Sequence, residues 1–236
     1  MPPPVTVDIL DRMRPNLALL VMERAKRVPG MVYCDLRLQV KEEKSAVAEN
    51  GNAKSSGEDY VFDFGVRVIA GASLSAPGYY GRILGAADTA NIEDVVWDGI
   101  RQAHRRARTN ARLKSQAKGR FTSLGGSLGG TDLAPVAVVH DSVPATYTID
   151  PRRVPLSETV RMAVDGCKAA QGQSGNIVYA AASISTFLLR ELFLSSDGAD
   201  IDQSFAQTEG FAIVICGSEH RSEERRVGKE CRSRGS

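Results

Sequence analysis

The sequence predicts an α+β fold, a layered sandwich of mainly antiparallel sheet packed with helices. Two observations predict it. Apolar residues alternate with polar ones in several separate segments, the period of a strand with one buried face. Helical periodicity, by contrast, is confined to three stretches, each followed by or set among runs of strands instead of alternating with single strands, which argues against a doubly wound parallel sheet.

The elements follow in order. Leu17, Leu20, Val21, Ala25 and Val28 share one helical face, with Pro15 suited to a first turn and Pro29-Gly30 as a stop. Val32, Cys34, Leu36, Leu38 and Val40 then alternate with polar neighbours, the clearest strand of the chain. A short strand over 45–49 leads to Asn50-Gly51, a tight-turn dipeptide, and Tyr60, Phe62, Phe64, Val66 and Val68 resume the alternation. Residues 71–85 are rich in Gly, Ala and Ser, with room for an edge strand around Tyr79–Leu84. Asp88 or Thr89 is placed to cap a long helix with Ile92, Val95, Val96, Ile100, Ala103, Ala107 and Ala111 inward. From 115 to 132 the period is lost and glycines cluster, so a loop is expected. Strand candidates follow at 135–139 and 145–149, and Ser157 is placed to cap a helix with Val160, Ala163, Val164 and Cys167 inward. A long strand over 177–194, a turn at Ser195-Ser196-Asp197-Gly198 and strands over 199–206 and 211–216 complete a meander.

The 236 residues suffice for one large domain or two small ones, with roughly 70% of the unfolded surface buried. Division into sub-units of about 1–114 and 133–220 is expected. No apolar run approaches the ~20 residues of a membrane helix. The first residues lack the basic and apolar regions of a secretory signal, so a cytoplasmic protein without membrane contact is expected. Four cysteines at 34, 167, 216 and 231 have neither zinc nor disulfide spacing.

After His220 the text changes. Residues 221–234 carry nine charges and a single aliphatic residue, and they can be encoded by a run resembling a sequencing adapter read in frame. Residues 221–236 are therefore expected to be a non-native tail unable to extend the preceding strand, and 1–220 the protein proper. Setting aside the tail's six Lys/Arg and three Asp/Glu leaves 24 bases against 25 acids, so the formal charge of +2 becomes −1. With that goes the overall case for a nucleic-acid partner.

Local chemistry is sparse. The glycine-rich run Leu124–Thr131 lacks the lysine of a phosphate-binding loop. His104, His140 and His220 show no metal-ligand spacing; His140-Asp141 reads as a surface turn and Cys34 as a structural cysteine. Six arginines and two lysines fall between Arg101 and Arg120, which reads as a solvated helix face without aromatic residues to stack bases. No catalytic, cofactor-binding or metal-ligating residue is assigned.

Three segments carry a resemblance. Tyr33-Cys34-Asp35-Leu36-Arg37, Gly65-Val66-Arg67-Val68 and Phe193-Leu194-Ser195-Ser196-Asp197-Gly198-Ala199-Asp200-Ile201-Asp202-Gln203 resemble, in order and spacing, segments of the TldD/PmbA (TldD/TldE) metallopeptidase family. The resemblance implies an α+β N-terminal region, here 1–220, followed by a catalytic domain absent from this chain. It also implies a homodimer or a TldD–TldE heterodimer enclosing a chamber for peptide substrates. In TldD-type members zinc is held in the second part by histidines around a glutamate, which suits water activation. No such motif occurs here, so a catalytically silent TldE/PmbA-like partner subunit is equally compatible with these segments.

Overall fold

The computed structural model describes residues 8–120, 133–134, 136–218 and 221–227, of which 118–120, 218 and 221–227 as backbone alone. The elements are α1 (Ile9–Leu19), continued by a π turn (Leu20–Arg24) and a 3-10 turn (Ala25–Arg27); β1 (Met31–Glu49); β2 (Asn52–Gly71); β3 (Ser75–Ile83); a 3-10 turn (Ala86–Asn91); α2 (Ile92–Arg120); β4 (His140–Val143); a 3-10 turn (Pro151–Arg153); α3 (Leu156–Gln171); β5 (Ile177–Ser195); β6 (Asp200–Ser218); and β7 (Arg221–Val227). One sheet runs in the order β3-β2-β1-β5-β6-β4, with β7 also beside β6. β3 is antiparallel to β2, β7 is antiparallel to β6, and β4 is parallel to β6. The fold is α+β.

Two compact units emerge, each assembled from three stretches: 1–40, 61–144 and 190–204 in the first, 41–60, 145–189 and 205–236 in the second. The division differs from consecutive sub-units at 114 and 133 because the long hairpin strands contribute to both. Asn50 and Gly51 have φ of 47° and 76°, the left-handed pair a two-residue hairpin turn requires, so β1 and β2 each run about 20 residues without the breaks expected from the sequence.

In the first unit the buried residues alternate: Cys34, Leu36, Leu38 and Val40 on β1, Phe62, Phe64, Val66 and Val68 on β2, Leu192 and Leu194 on β5. Leu10, Met13, Leu17, Leu20 and Val21 line the inner side of the first helical segment, and Val96, Ile100, Ala103 and Ala107 that of α2. α1 begins well before the predicted face, and Pro15 lies inside it. Burying Ile9, Leu10 and Met13, at roughly 1.5–3 kcal/mol each, outweighs the roughly 3 kcal/mol cost of an interior proline.

α2 lies against β3 at very short range. A Cβ on Gly78 would sit 2.2 Å from the Ala103 carbonyl oxygen and 2.4 Å from the Ala107 nitrogen, and one on Gly99 would sit 2.6 Å from the Phe64 ring. β3 is the edge of the sheet, where alternate residues direct backbone groups away from the neighbouring strand. Arg106 donates to Tyr79 O (2.6 Å), Asn110 to Pro77 O (2.8 Å) and Lys114 to Ser75 O (3.2 Å). Four helical residues rise about 6 Å and two strand residues about 6.6 Å, so one side chain per turn meets one outward carbonyl after another. The edge is thereby closed to further pairing.

The second unit is built on small residues. Ala46, Ala48, Ala163, Cys167, Ala180 and Ala182 form its buried cluster, flanked by Val160, Val164, Ile177, Ile184, Ala212 and Val214. The Cys167 thiol donates to Ala180 O (3.3 Å) and accepts from Gly51 N (3.2 Å), tying α3 to the β1–β2 turn.

Several expectations are corrected. α2 continues through the first residues of the expected 115–132 loop, because Lys114 anchors its last described side-chain turn and the following Gln116 and Ala117 favour helix; residues 121–132, with the glycine-rich run, lie outside the described residues. β4 is His140–Val143, whereas described residues of 135–139 and 145–149 form no strand, because pairing to Asp200–Gln203 of β6 and not apolarity selects the strand. Ser157 lies within α3, whose cap position is Pro155 without a side-chain bond. β6 is one strand where two were expected. Arg221–Val227 pairs with β6 from Ala212 to Ser218, contrary to the expectation that the charged tail cannot extend the strands; ladder pairing uses backbone groups that every non-proline residue carries. His220 and residues 228–236 lie outside the described residues.

Gly78→Ala should therefore be among the most damaging single changes in this chain, costing roughly 3 kcal/mol or more by displacing α2. Gly65→Ala meets nothing within 4 Å and should be neutral or stabilising by about 0.5–1 kcal/mol. Urea midpoints of the two variants check the contrast.

Candidate functional site

The three segments that carry the resemblance, far apart in the chain, come together in the first unit. β1 contributes Tyr33, Asp35, Arg37 and Gln39 on the sheet face opposite Leu36 and Leu38, since successive strand residues alternate sides. Arg67 of β2 donates through Nε to Asp35 Oδ2 at 2.7 Å and places a second nitrogen 2.5 Å from the same oxygen. Its guanidinium also stands 5.6 Å from the Tyr33 ring centroid. Arg37 lies 5.4 Å from the Phe193 ring and 3.5 Å from Glu191 Oε2. Glu191 accepts further bonds from Gln39 and from Gln203 Nε2 (3.0 Å).

The β5–β6 turn closes this arrangement. Ser196 donates its N–H to Cys34 O (2.7 Å), and its Oγ accepts from Cys34 N (3.0 Å), so one residue satisfies both backbone groups of Cys34. Ser195 Oγ accepts from Ala199 N (3.1 Å), and Gly198 holds φ of 109°, a conformation that favours glycine. The Ser-rich segment is thus a backbone joint, and among the described residues neither serine is hydrogen-bonded to a histidine.

Electrostatics follow from burial. Tyr33 is pushed up to about 12, first by burial and then by the neighbouring Asp35 charge. Burial pulls Arg67 down, but its bond to Asp35 more than offsets this and the net direction is upward. Cys34 is pushed up to about 12 by burial and then by Asp35, which leaves it a thiol and a poor nucleophile, as its place on the strand suggests. Asp63 is raised by burial, with Glu191 adding to the effect.

On the opposite face of the same strands α1 is fastened by charge. Arg14 reaches Asp200 (2.9 Å) and Asp202 (3.4 Å), while Arg190 holds Asp202 (2.6 and 2.9 Å) and Asp11. The Asp11 carboxyl is lowered mainly by its bond to Arg190.

The remaining candidates separate. His104 is buried, with Nε2 3.1 Å from Pro29 O, and burial lowers its pKa. His140 and Asp141 are exposed on β4. The arginine-rich stretch divides, Arg106 and Lys114 serving the β3 edge and Arg101 pairing with Asp98 (3.0 Å). A cleft of about 540 Å³ lies between α1 and the start of α2, lined by Met13, Asn16 and Glu93 among others and without histidine or cysteine. Among the described residues no three His, Cys, Asp or Glu side chains could hold a metal ion, so they do not fit the zinc of the resembled family. No described helix is long and apolar enough to cross a membrane.

Arg67→Leu should cost roughly 3–5 kcal/mol, since Asp35 is only 4% exposed and would be left unpaired, and Asp35→Leu/Arg67→Leu should recover most of that loss. A double-variant loss equal to the sum of the two single losses would show the pair is uncoupled. Because the folded Tyr33 pKa is raised, its contribution is fully present below pH 10 and lost as pH rises through about 12. Tyr33→Phe should remove that alkaline step, of at most about 2–3 kcal/mol, from the pH dependence of unfolding.

No family model and no curated protein matches the sequence. Solved structures do match. A proposed modulator of DNA gyrase from Bacteroides thetaiotaomicron aligns with TM-score 0.58 and 14% identity over 92% of this chain and 44% of its own. A proposed modulator of a DNA gyrase from Thermotoga maritima gives 0.55 and 11% over 92% of this chain and 41% of its own. TldE from Thermococcus kodakarensis gives 0.51 and 12% over 93% of this chain and 43% of its own. At these identities the likeness is one of fold: the chain shares the fold of these proteins and spans less than half their length.

Proposed function

We propose that this chain serves as the N-terminal, non-catalytic part of a TldD/TldE-type peptidase assembly, shaping the dimer and the chamber that admits peptides or unfolded segments in the cytoplasm. The observation that carries this reading is the convergence of the three resembling segments on one joint, through Asp35–Arg67, Arg37–Phe193 and Cys34–Ser196. Its fold-level likeness to TldE adds support. Every group in that joint is occupied in holding strands together, and none is arranged as a nucleophile with its base. Zinc in an active parent would be held by residues outside this chain. The silent-partner reading rests on the same joint, with the TldE likeness in its favour, and places the chemistry on a companion subunit.

Purified chain should give no turnover of a fluorogenic casein substrate, with or without added zinc; zinc-dependent cleavage would overturn the proposal. Reading the source DNA past the codon for His220 separates the two versions. A His-Glu metal motif downstream makes the parent an active peptidase, and a long frame without one makes it the silent partner. A native frame that ends at Ser236 would sink both.

A further inference from the structure

The solvent side of α2 carries an unusual distribution of charge. From Gly99 to Arg120 there is no aspartate or glutamate among twenty-two residues. α3 of the same chain behaves otherwise, since its Arg161 lies between Glu158 and Asp165 and pairs with both. Such i, i+3 and i, i+4 pairing is how an exposed helix ordinarily balances its surface charge.

The structure sorts the cations of α2 whose side chains it describes into two sets. Arg106 and Lys114, with Asn110, are turned to the β3 edge and satisfy its carbonyls. Arg101, Arg105, Arg108 and Arg112 are exposed and, at 100° per residue, fall within about 60° of one another, about 140° around the helix from the buried line of Val96, Ile100, Ala103 and Ala107. Arg101 pairs with Asp98, which Arg105 also reaches at longer range. Among the described residues Arg105, Arg108 and Arg112 make no ion pair or hydrogen bond. Exposed Thr109 and Gln116 flank the stripe, and it contains no apolar residue, Leu113 standing at its margin.

We propose that this stripe is a docking surface for the phosphate backbone of duplex nucleic acid. Protein–protein interfaces are organised around a desolvated core of aromatic and aliphatic anchors, which the stripe lacks. Surfaces that receive phosphates combine arginine with hydroxyl and amide side chains, as this one does, and a single helix fits the major groove. The expectation from overall charge was against nucleic acid. The local distribution favours it, because phosphate contact depends on concentrated cations and not on the net charge of the chain.

The test is fluorescence anisotropy of the full chain with a labelled 20-base-pair duplex of random sequence, at 50 and 200 mM NaCl. Three phosphate contacts correspond to a logarithmic salt slope of about −2.7, or roughly 40-fold weaker binding at the higher salt. Arg105→Ala/Arg108→Ala/Arg112→Ala should flatten the slope by about that amount. The corresponding triple lysine variant should keep it, and Arg161→Ala on α3 should leave it unchanged. The positions are exposed and alanine favours helix, so the fold should persist, as the helical circular dichroism of both triple variants verifies. Absence of binding at 50 mM, or an alanine variant that binds with unchanged affinity and slope, overturns the proposal. So does tighter binding of a 20-residue polyglutamate than of the duplex, which would assign the stripe to an acidic protein.

Discussion

The absence of a side chain at Gly78 sets how closely α2 lies on the sheet, and much of the first unit depends on that distance. With the Ala103 carbonyl oxygen and the Ala107 nitrogen both inside Cβ range, helix and strand backbones meet almost directly. Only at that separation can Arg106, Asn110 and Lys114 reach the outward carbonyls of β3. The same approach seats Phe64 beneath Gly99, with the Tyr80 ring 6.0 Å from it. The edge strand, the aromatic contact and the disposition of the arginines are therefore consequences of one glycine against two alanines. A larger residue at any of the three would move the helix outward and uncover the edge.

The sheet of this unit is polar on one face and fastened by charge even on the apolar one. Asp35 and Glu191 are nearly buried on the open face, where arginine and glutamine side chains occupy their oxygens. Asp202 is similarly buried on the helix face and is held by Arg190 and Arg14. Buried ion pairs add little net stability compared with apolar packing, but breaking one is costly. What they contribute is registry, since Arg67 meets Asp35 in one pairing of β1 and β2, and a slip of β2 by one residue would turn Arg67 to the face opposite Asp35.

Strand alternation on β1 and β2, the Asn50-Gly51 turn and the inner face of α2 were legible in the sequence because each is a local pattern with one dominant cause. The α+β class followed from them. The start of α1 was missed because Pro15 reads as a boundary, although Ile9, Leu10, Met13 and Leu17 already carried the helical spacing. β4 was misplaced for the opposite reason: His140–Val143 is exposed throughout, and its strand character comes from a partner distant in sequence. The joint among Tyr33–Arg37, Arg67 and Phe193–Gln203 was visible as three resembling segments but not as contacts, since nothing local says that Arg67 meets Asp35.

That joint bears on what kind of function these segments encode. A catalytic constellation leaves at least one polar group poised toward a reactant, with its pKa shifted toward the working pH. Here Cys34 and Tyr33 are shifted away from it, to about 12, and Ser195 and Ser196 are engaged with backbone N–H groups. The segments most specific in the sequence thus do architectural work, fixing β1, β2 and the β5–β6 turn as one piece. α2 is the contrasting case, because the edge of β3 accounts for Arg106 and Lys114 yet makes no use of Arg105, Arg108 and Arg112. The fold requires the first set; the second is surplus to it, and like charges three and four residues apart on one helix face repel by about 0.2–0.5 kcal/mol per pair, a cost that a partner of opposite charge would relieve.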